Sequence, residues 1–199
     1  MISCSEMKAL ENEAEKKGVS KLTLMENAGK KVAEILEEKS DLKGKRVLVV
    51  AYHGNNGGDG FVAARHLADK AEVEVLFLGT ESGFKPEAAE SFKRINADPK
   101  IQFIGLELVD FDDYDIIIDA LLGMGIEGSL KAIFQSTIDR INDSKAFKVS
   151  VDIPSGLNPD TGEIHDRAVE ADLIITFHDM KKGLEKMKDK TVVADIGIP

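Results

Sequence analysis

The sequence predicts an α/β protein of three layers, α/β/α, with a mostly parallel sheet and a helical N-terminal extension. Three observations predict it. The apolar, β-branched run at residues 46–52 lacks polar alternation, as a strand buried on both faces does, and further strands fall at 114–120 and 173–177. Amphipathic stretches of helical period separate such runs at the spacing of βαβ crossovers, which return parallel strands to one sheet. The two segments before the first strand are also helical in period. The chain has 199 residues and no internal repeat, linker or low-complexity stretch, so residues 1–199 read as one domain.

The elements follow in order. Met7, Leu10 and Ala14 recur at helical spacing with Glu and Lys between them. Ser20 or Thr23 caps a second helix carrying Leu24, Ala28, Val32, Ile35 and Leu36 on one face. After Gly44 a strand spans 46–52, and a helix starts near 59 and runs to 68. A strand at 73–78, a helix at 86–95, a short strand at 101–104 and a strand at 114–120 follow. Then come a helix at 130–141 and strands at 147–152, 173–177 and 191–196. The run Asp110-Phe-Asp-Asp-Tyr-Asp115 reads as a solvated loop, and Asn158-Pro-Asp-Thr-Gly162 as a turn.

Composition narrows the function. Hydrophobic residues make up 43% and charged residues 31%, which predicts a packed core rather than disorder. A net charge of −10 repels polyphosphate backbones, so a nucleic-acid partner is not expected. An anionic ligand must therefore be held locally, by backbone N–H groups or a bound cation. Cys4 is the only cysteine, which leaves no internal disulfide and fits a reducing cytoplasm. The first residues, MISCSEMKAL, show no signal-peptide pattern, and no apolar run approaches the roughly 20 residues that span a bilayer. Neither a membrane partner nor an exported location is expected.

Sheets of this kind bind ligands at the carboxyl ends of their strands. Four segments lie there. The first, His53-Gly-Asn-Asn-Gly-Gly-Asp-Gly60, joins a strand to a helix. Its glycines permit close approach, the helix N-terminus offers free N–H groups, and Asn55 and Asn56 add amide oxygens and donors. A tight turn with Asp59 as helix cap accounts for the Asp and one Gly, but not for four glycines and two Asn. Gly58-x-Gly60-x-x-Ala63, with Glu81 closing the next strand, also fits a dinucleotide fingerprint, though it starts late after the strand. The second segment is Asp119 followed by Gly123-Met-Gly-Ile-Glu-Gly-Ser129, a second anion seat before a helix. The third, Asp152-Ile-Pro-Ser-Gly156, sets a carboxylate beside a hydroxyl. A nucleophilic Ser155 would need a base; His165 is near in sequence, but G-x-S-x-G is absent. Carboxylate, hydroxyl and amide oxygens suit a hard cation, and no Cys/His cluster suggests zinc. The fourth segment holds His178, Lys181 and Lys182, with both lysines read as surface residues.

Taken together, these segments resemble the YjeF N-terminal domain family, the NAD(P)HX epimerases. The resemblance runs nearly end to end. It rests on Leu24-Met-Glu-Asn-Ala-Gly29, Gly54-Asn-Asn-Gly-Gly-Asp-Gly60, Val62-Ala-Ala-Arg-His-Leu67, Asp119-Ala-Leu-Leu-Gly123, Val151-Asp-Ile-Pro-Ser-Gly156 and Ala194-Asp-Ile-Gly-Ile-Pro199. It implies a Rossmann-like sandwich, a homodimer and a repair activity. Hydrated NADH and NADPH carry a hydroxyl at C6 of the nicotinamide ring. The family interconverts the R and S epimers so that a partner dehydratase, which uses the S form, can restore the whole pool. By resemblance, Asn55, Asn56, Gly57, Gly58, Asp59, Gly123, Met124, Gly125, Ile126, Glu127, Gly128, Ser129 and Asp152 bind the hydrate. Asn56, Asp119 and Ser155 ligate potassium. His53 stands where many members have Pro. Asp152, a strand-end carboxylate in the expected pocket, is the expected general acid and counter-charge. The alternatives are a non-catalytic nucleotide- or RNA-associated module on the same fold, and a dehydrogenase using the glycine fingerprint.

Overall fold

The computed structural model describes residues 1–125, 129–164 and 166–199. Seven strands form one sheet in the order β3-β2-β1-β4-β5-β6-β7. They are β1 (Arg46–Ala51), β2 (Glu72–Phe77), β3 (Ile101–Phe103), β4 (Ile116–Ala120), β5 (Phe147–Val151), β6 (Leu173–Phe177) and β7 (Thr191–Ala194). Every neighbouring pair is parallel. The helices are α1 (Cys4–Lys16), α2 (Lys21–Lys39), α3 (Asn55–Leu67), α4 (Pro86–Asn96) and α5 (Ala132–Asp143).

Strand pleating divides the core in two. Val47, Val49 and Ala51 of β1 pack with Leu24, Val32 and Leu36 of α2 and with Phe61 and Leu67 of α3. Leu48 and Val50, one residue out of phase, pack with Phe134, Ile138 and Ile141 of α5 on the other face. A side-chain period of two therefore makes β1 apolar throughout. Burying a side chain of this kind stabilises the fold by about 1.5–3 kcal/mol.

The N-terminal extension is helical, as expected. Ser3 caps α1 in a reciprocal capping box with Glu6, and Ser20, not Thr23, caps α2. The chain before α1 is tied down as well. The Ile2 N–H donates to the Met180 carbonyl, and the Lys182 N–H donates to the Ile2 carbonyl. This draws α1 over the carboxyl end of the sheet.

The start of α3 departs from expectation. Gly54 is its N-cap, and the helix begins at Asn55. Gly57, Gly58 and Gly60 are thus helical, although each glycine costs about 1 kcal/mol against alanine in a helix. Tertiary packing outweighs that cost. A Cβ on Gly57 would strike the Tyr52 backbone at the end of β1, and one on Gly60 would strike the Ala120 side chain and lie 3.3 Å from Val49 Cγ1. The missing side chains let α3 lie against the sheet. Asp59 is therefore no cap; it sits in the second turn. The dinucleotide fingerprint fails for the same reason, because its glycines are in the helix interior. Glu81 lies in a 3-10 turn after β2 has ended at Phe77.

Candidate active site

The strand order reverses between β1 and β4, so the chains leaving these strands diverge and open a crevice. A cleft of about 900 Å³ lies there, at the large end of small-molecule sites. Of the residues named above as hydrate-binding, Asn55, Asn56, Asp59, Gly123, Met124, Gly125, Ser129 and Asp152 line it. Gly57 and Gly58 are buried and do not line it. Ile126, Glu127, Gly128 and His165 lie outside the described residues. Met7 and Glu11 of α1 also line the cleft, as do Tyr52, His53 and Phe134. Tyr52 packs on His53 with ring centroids 3.7 Å apart, and Phe134 meets Tyr52 edge-on.

Asp152 follows β5 directly, with φ at +61°, a conformation that a residue other than glycine holds only when its surroundings over-determine it. The surroundings are visible. Its Oδ1 accepts hydrogen bonds from Lys181 Nζ at 2.5 Å, Thr176 Oγ1 at 3.0 Å and the Phe177 N–H at 3.3 Å. Lys181 is 0% exposed, which corrects its reading as a surface residue. Lys181 Nζ also donates to the Phe177 carbonyl at 2.8 Å. An ammonium buried this completely needs a counter-charge, and Asp152 supplies it. Lys182 is exposed, as expected, and pairs with Glu6. The sequence signal for Lys181 was its place after β6, the strand beside β5.

Asp119, at the end of β4, is 0% exposed. Its Oδ2 accepts from Ser150 Oγ and the Ser155 N–H, each at 2.8 Å. Its Oδ1 accepts from Ser155 Oγ at 2.5 Å and the Leu121 N–H at 3.3 Å. Burial pushes its carboxyl up, while these four bonds pull it back. Ser155 Oγ accepts from the Leu122 N–H at 2.8 Å, and Asn56 Nδ2 donates to the Leu122 carbonyl at 3.0 Å. The three residues expected to share a cation thus form one connected group, with Asn56 on the cleft wall and Asp119 and Ser155 behind it. Asn56 Oδ1 is buried with no partner among the described residues. Gly123 permits this closeness; a Cβ there would stand 3.0 Å from Asn56 Cβ. A buried carboxylate bonded only by neutral donors, in one hydrogen-bonded group with an unsatisfied amide oxygen, fits a hard cation. Ser155 is 0% exposed and committed to Asp119, so it is not placed as a nucleophile.

Two more carboxyl groups share the cleft. Burial, with Asp152 and Glu11 beside it, holds the Asp59 carboxyl well above the usual range, against a smaller opposing pull from Lys181. Burial also raises Glu11, again with Asp152 adding to it, while Lys181, Lys21 and Lys85 oppose. Sequence reasoning missed Glu11, because the position of α1 over the site is a tertiary fact. Burial, with Lys131 nearby, lowers the His53 imidazole. The first turn of α3 carries no side-chain cap, so its N–H groups remain available to a ligand.

Comparison with known proteins adds a family. A family model described as YjeF-related protein N-terminus matches residues 21–183. A protein of Archaeoglobus fulgidus named bifunctional NAD(P)H-hydrate repair enzyme is 44% identical over 202 residues, covering 100% of this chain and 42% of its own length. A Cenarchaeum symbiosum protein named NAD(P)H-hydrate epimerase is 42% identical, covering 100% of this chain and 95% of its own. The chain thus spans about two-fifths of such bifunctional relatives. The crystal structure of the yeast protein YNL200c superposes with a TM-score of 0.80 at 24% identity, covering 98% of this chain and 88% of that one, and supports the fold.

Proposed function

The chain belongs to the YjeF-related N-terminal family, and on that premise we propose that it interconverts the R and S epimers at C6 of hydrated NADH and NADPH. The observation that carries this reading is Asp152 on the wall of a cleft large enough for a dinucleotide, ion-paired to the buried Lys181. The substrate is anionic and the protein acidic. The free N–H groups at the start of α3 and the loop at Gly123, Met124, Gly125 and Ser129 offer seats for its phosphates.

Epimerisation requires the C6–O bond to break and re-form on the other ring face. The ring-nitrogen lone pair expels the hydroxyl and leaves an iminium-like cation. The Asp152 carboxylate opposes that charge. Lys181 holds Oδ1, so Asp152 meets the cleft with its other oxygen in one fixed orientation. The departing hydroxyl needs a proton, and the incoming water must lose one. No hydride acceptor is required.

Asn56, Asp119 and Ser155 would hold a potassium ion, which would offset the buried Asp119 charge behind the phosphate-facing loops. A dehydratase is the functional partner in this reading, in keeping with relatives named bifunctional repair enzymes. A homodimer and a cytoplasmic location complete it on the family resemblance alone. Among the described residues no helix is long and apolar enough to cross a membrane.

A coupled assay tests the proposal. Mixed hydrates are treated with excess S-specific dehydratase until the S form is gone, at mildly alkaline pH to slow spontaneous epimerisation. Added protein should then restore reduced cofactor from the R form. Folded protein that gives no acceleration, with potassium present, would favour a non-catalytic binding module.

A further inference from the structure

The acid that protonates the departing hydroxyl is the part of the reaction that the ion pair leaves open. Asp152 gives Oδ1 to three donors, one of them the Lys181 ammonium. A second carboxyl group on the same wall makes no hydrogen bond among the described residues. It is Asp59, one turn into α3, partly open to the cleft and otherwise enclosed. The groups facing it come from three elements: Glu11 of α1, Asp152 after β5 and Lys181 after β6. From α2, Gly29 packs against the Asp59 backbone carbonyl, and Lys21, Leu24, Met25 and Ala28 line the same cleft.

We propose that Asp59 is the proton donor of the reaction, while Asp152, paired with Lys181, is the fixed counter-charge; the assignment rests on the epimerase reading. The charge balance supports it. Asp59 faces the carboxyl groups of Glu11 and Asp152 with the Lys181 ammonium as its one nearby cation, while Lys21 and Lys85 lie by Glu11, and three full negative charges there would repel. Asp152 has the ammonium, so the proton is kept on a group without one. Burial and the Asp152 and Glu11 charges act in that sense on Asp59. A carboxyl held in its acid form beside an ion-paired one can divide the acid and charge-stabilising roles with it.

The step balances without another reactant. The Asp59 proton passes to the C6 hydroxyl oxygen. The C–O bonding pair leaves with that oxygen as water, and the nitrogen lone pair forms the C=N bond. Water then adds to C6 as the C=N π pair returns to nitrogen. Addition to the original face gives its proton directly back to Asp59 and is unproductive. Addition to the other face delivers the proton to the free oxygen of Asp152, and proton exchange with water in the open cleft returns Asp152 to the carboxylate and Asp59 to the acid. Nothing is oxidised or reduced.

The test compares wild type with Asp59→Asn over a range of pH, with background subtracted. The acid form of Asp59 is the active one, so wild-type kcat should fall as pH rises through its raised pKa. Asp59→Asn should lose about 10²–10⁴-fold in kcat with little change in KM, and lose that alkaline fall. Its melting temperature at neutral pH should equal or exceed the wild type's. A carboxyl raised on folding costs stability as pH rises above its unfolded value near 4, and the amide carries no such cost. Near-wild-type kcat in Asp59→Asn, with wild type active, would overturn the assignment and leave the epimerase reading standing. An inactive wild type would overturn both. Infrared difference spectra of wild type against Asp59→Asn give an answer independent of turnover. A protonated-carboxyl band at neutral pH that the variant lacks supports the assignment, and its absence from wild type overturns it.

Discussion

Replacing Gly57 by alanine separates two explanations of the glycine-rich turn, packing and ligand approach. In a helix interior the change alone would gain about 1 kcal/mol. At this position the new Cβ would stand 2.7 Å from the carbonyl carbon of Tyr52 and 3.0 Å from its nitrogen, and nearer still to its oxygen. Heavy-atom contacts are comfortable only from about 3.5 Å, so the clash with the oxygen demands well over ~1 Å of movement. The obstacle is backbone at the end of β1, and Tyr52 is itself held by His53 and Phe134. A rotamer change cannot relieve it. Overpacking costs about 1–3 kcal/mol, and more where backbone must shift. Against the gain in helix propensity, a net loss of about 2 kcal/mol is expected, or about 4–8 °C in Tm for a chain of this size. Thermal melts and urea titrations with an unchanged m value measure it. Gly54→Ser is the control. Nothing lies within 4 Å of a Cβ there, the backbone is extended, and the hydroxyl can cap α3, so stability should change by less than about 1 kcal/mol or rise. A Gly57→Ala protein as stable as wild type, but unable to bind ligand, would refute packing as the reason for the glycine.

Three further outcomes follow from the site. Lys181→Met should destabilise the fold by about 3–5 kcal/mol in urea titration, since it strands the Asp152 carboxylate, and Lys181→Met with Asp152→Asn should recover much of that loss; additive effects would contradict the pairing. Burial and Asp160 push the Cys4 thiol up to about 12, so at neutral pH it should alkylate slowly in the folded protein and far faster in denaturant, as mass spectrometry would show. Exchanging potassium for a bulky organic cation should lower the melting temperature of wild type but not of Asn56→Ala; equal responses would remove Asn56 from the cation site.

The strands were legible because a parallel sheet covered on both faces leaves continuous apolar runs, and β6 falls at residues 173–177 in both sequence and structure. The start of α3 was not legible, since glycine propensity argued against the helix and the reason for glycine lies in Tyr52 and Ala120, which local pattern does not reach. Asp152 could be read from its place at a strand end. Its partner Lys181, 29 residues on, could not, because a lysine is by default a surface residue and only pairing buries it. The link among Asn56, Asp119 and Ser155 came from family resemblance rather than spacing, and the structure joins them through the amide and carbonyl of Leu122. Glu11 carried no signal at all, because nothing in an amphipathic pattern tells where the helix will lie.

The most direct measurement incubates the pure R hydrate with this protein and potassium in oxygen-18 water at mildly alkaline pH, then separates the epimers by chromatography and weighs each. The account predicts rapid appearance of the S form, with heavy oxygen at C6 in S from the first turnovers, because the C6–O bond breaks at every inversion. An R hydrate that persists at the spontaneous rate would contradict the proposed activity, and an S form that appears without label would contradict cleavage of that bond.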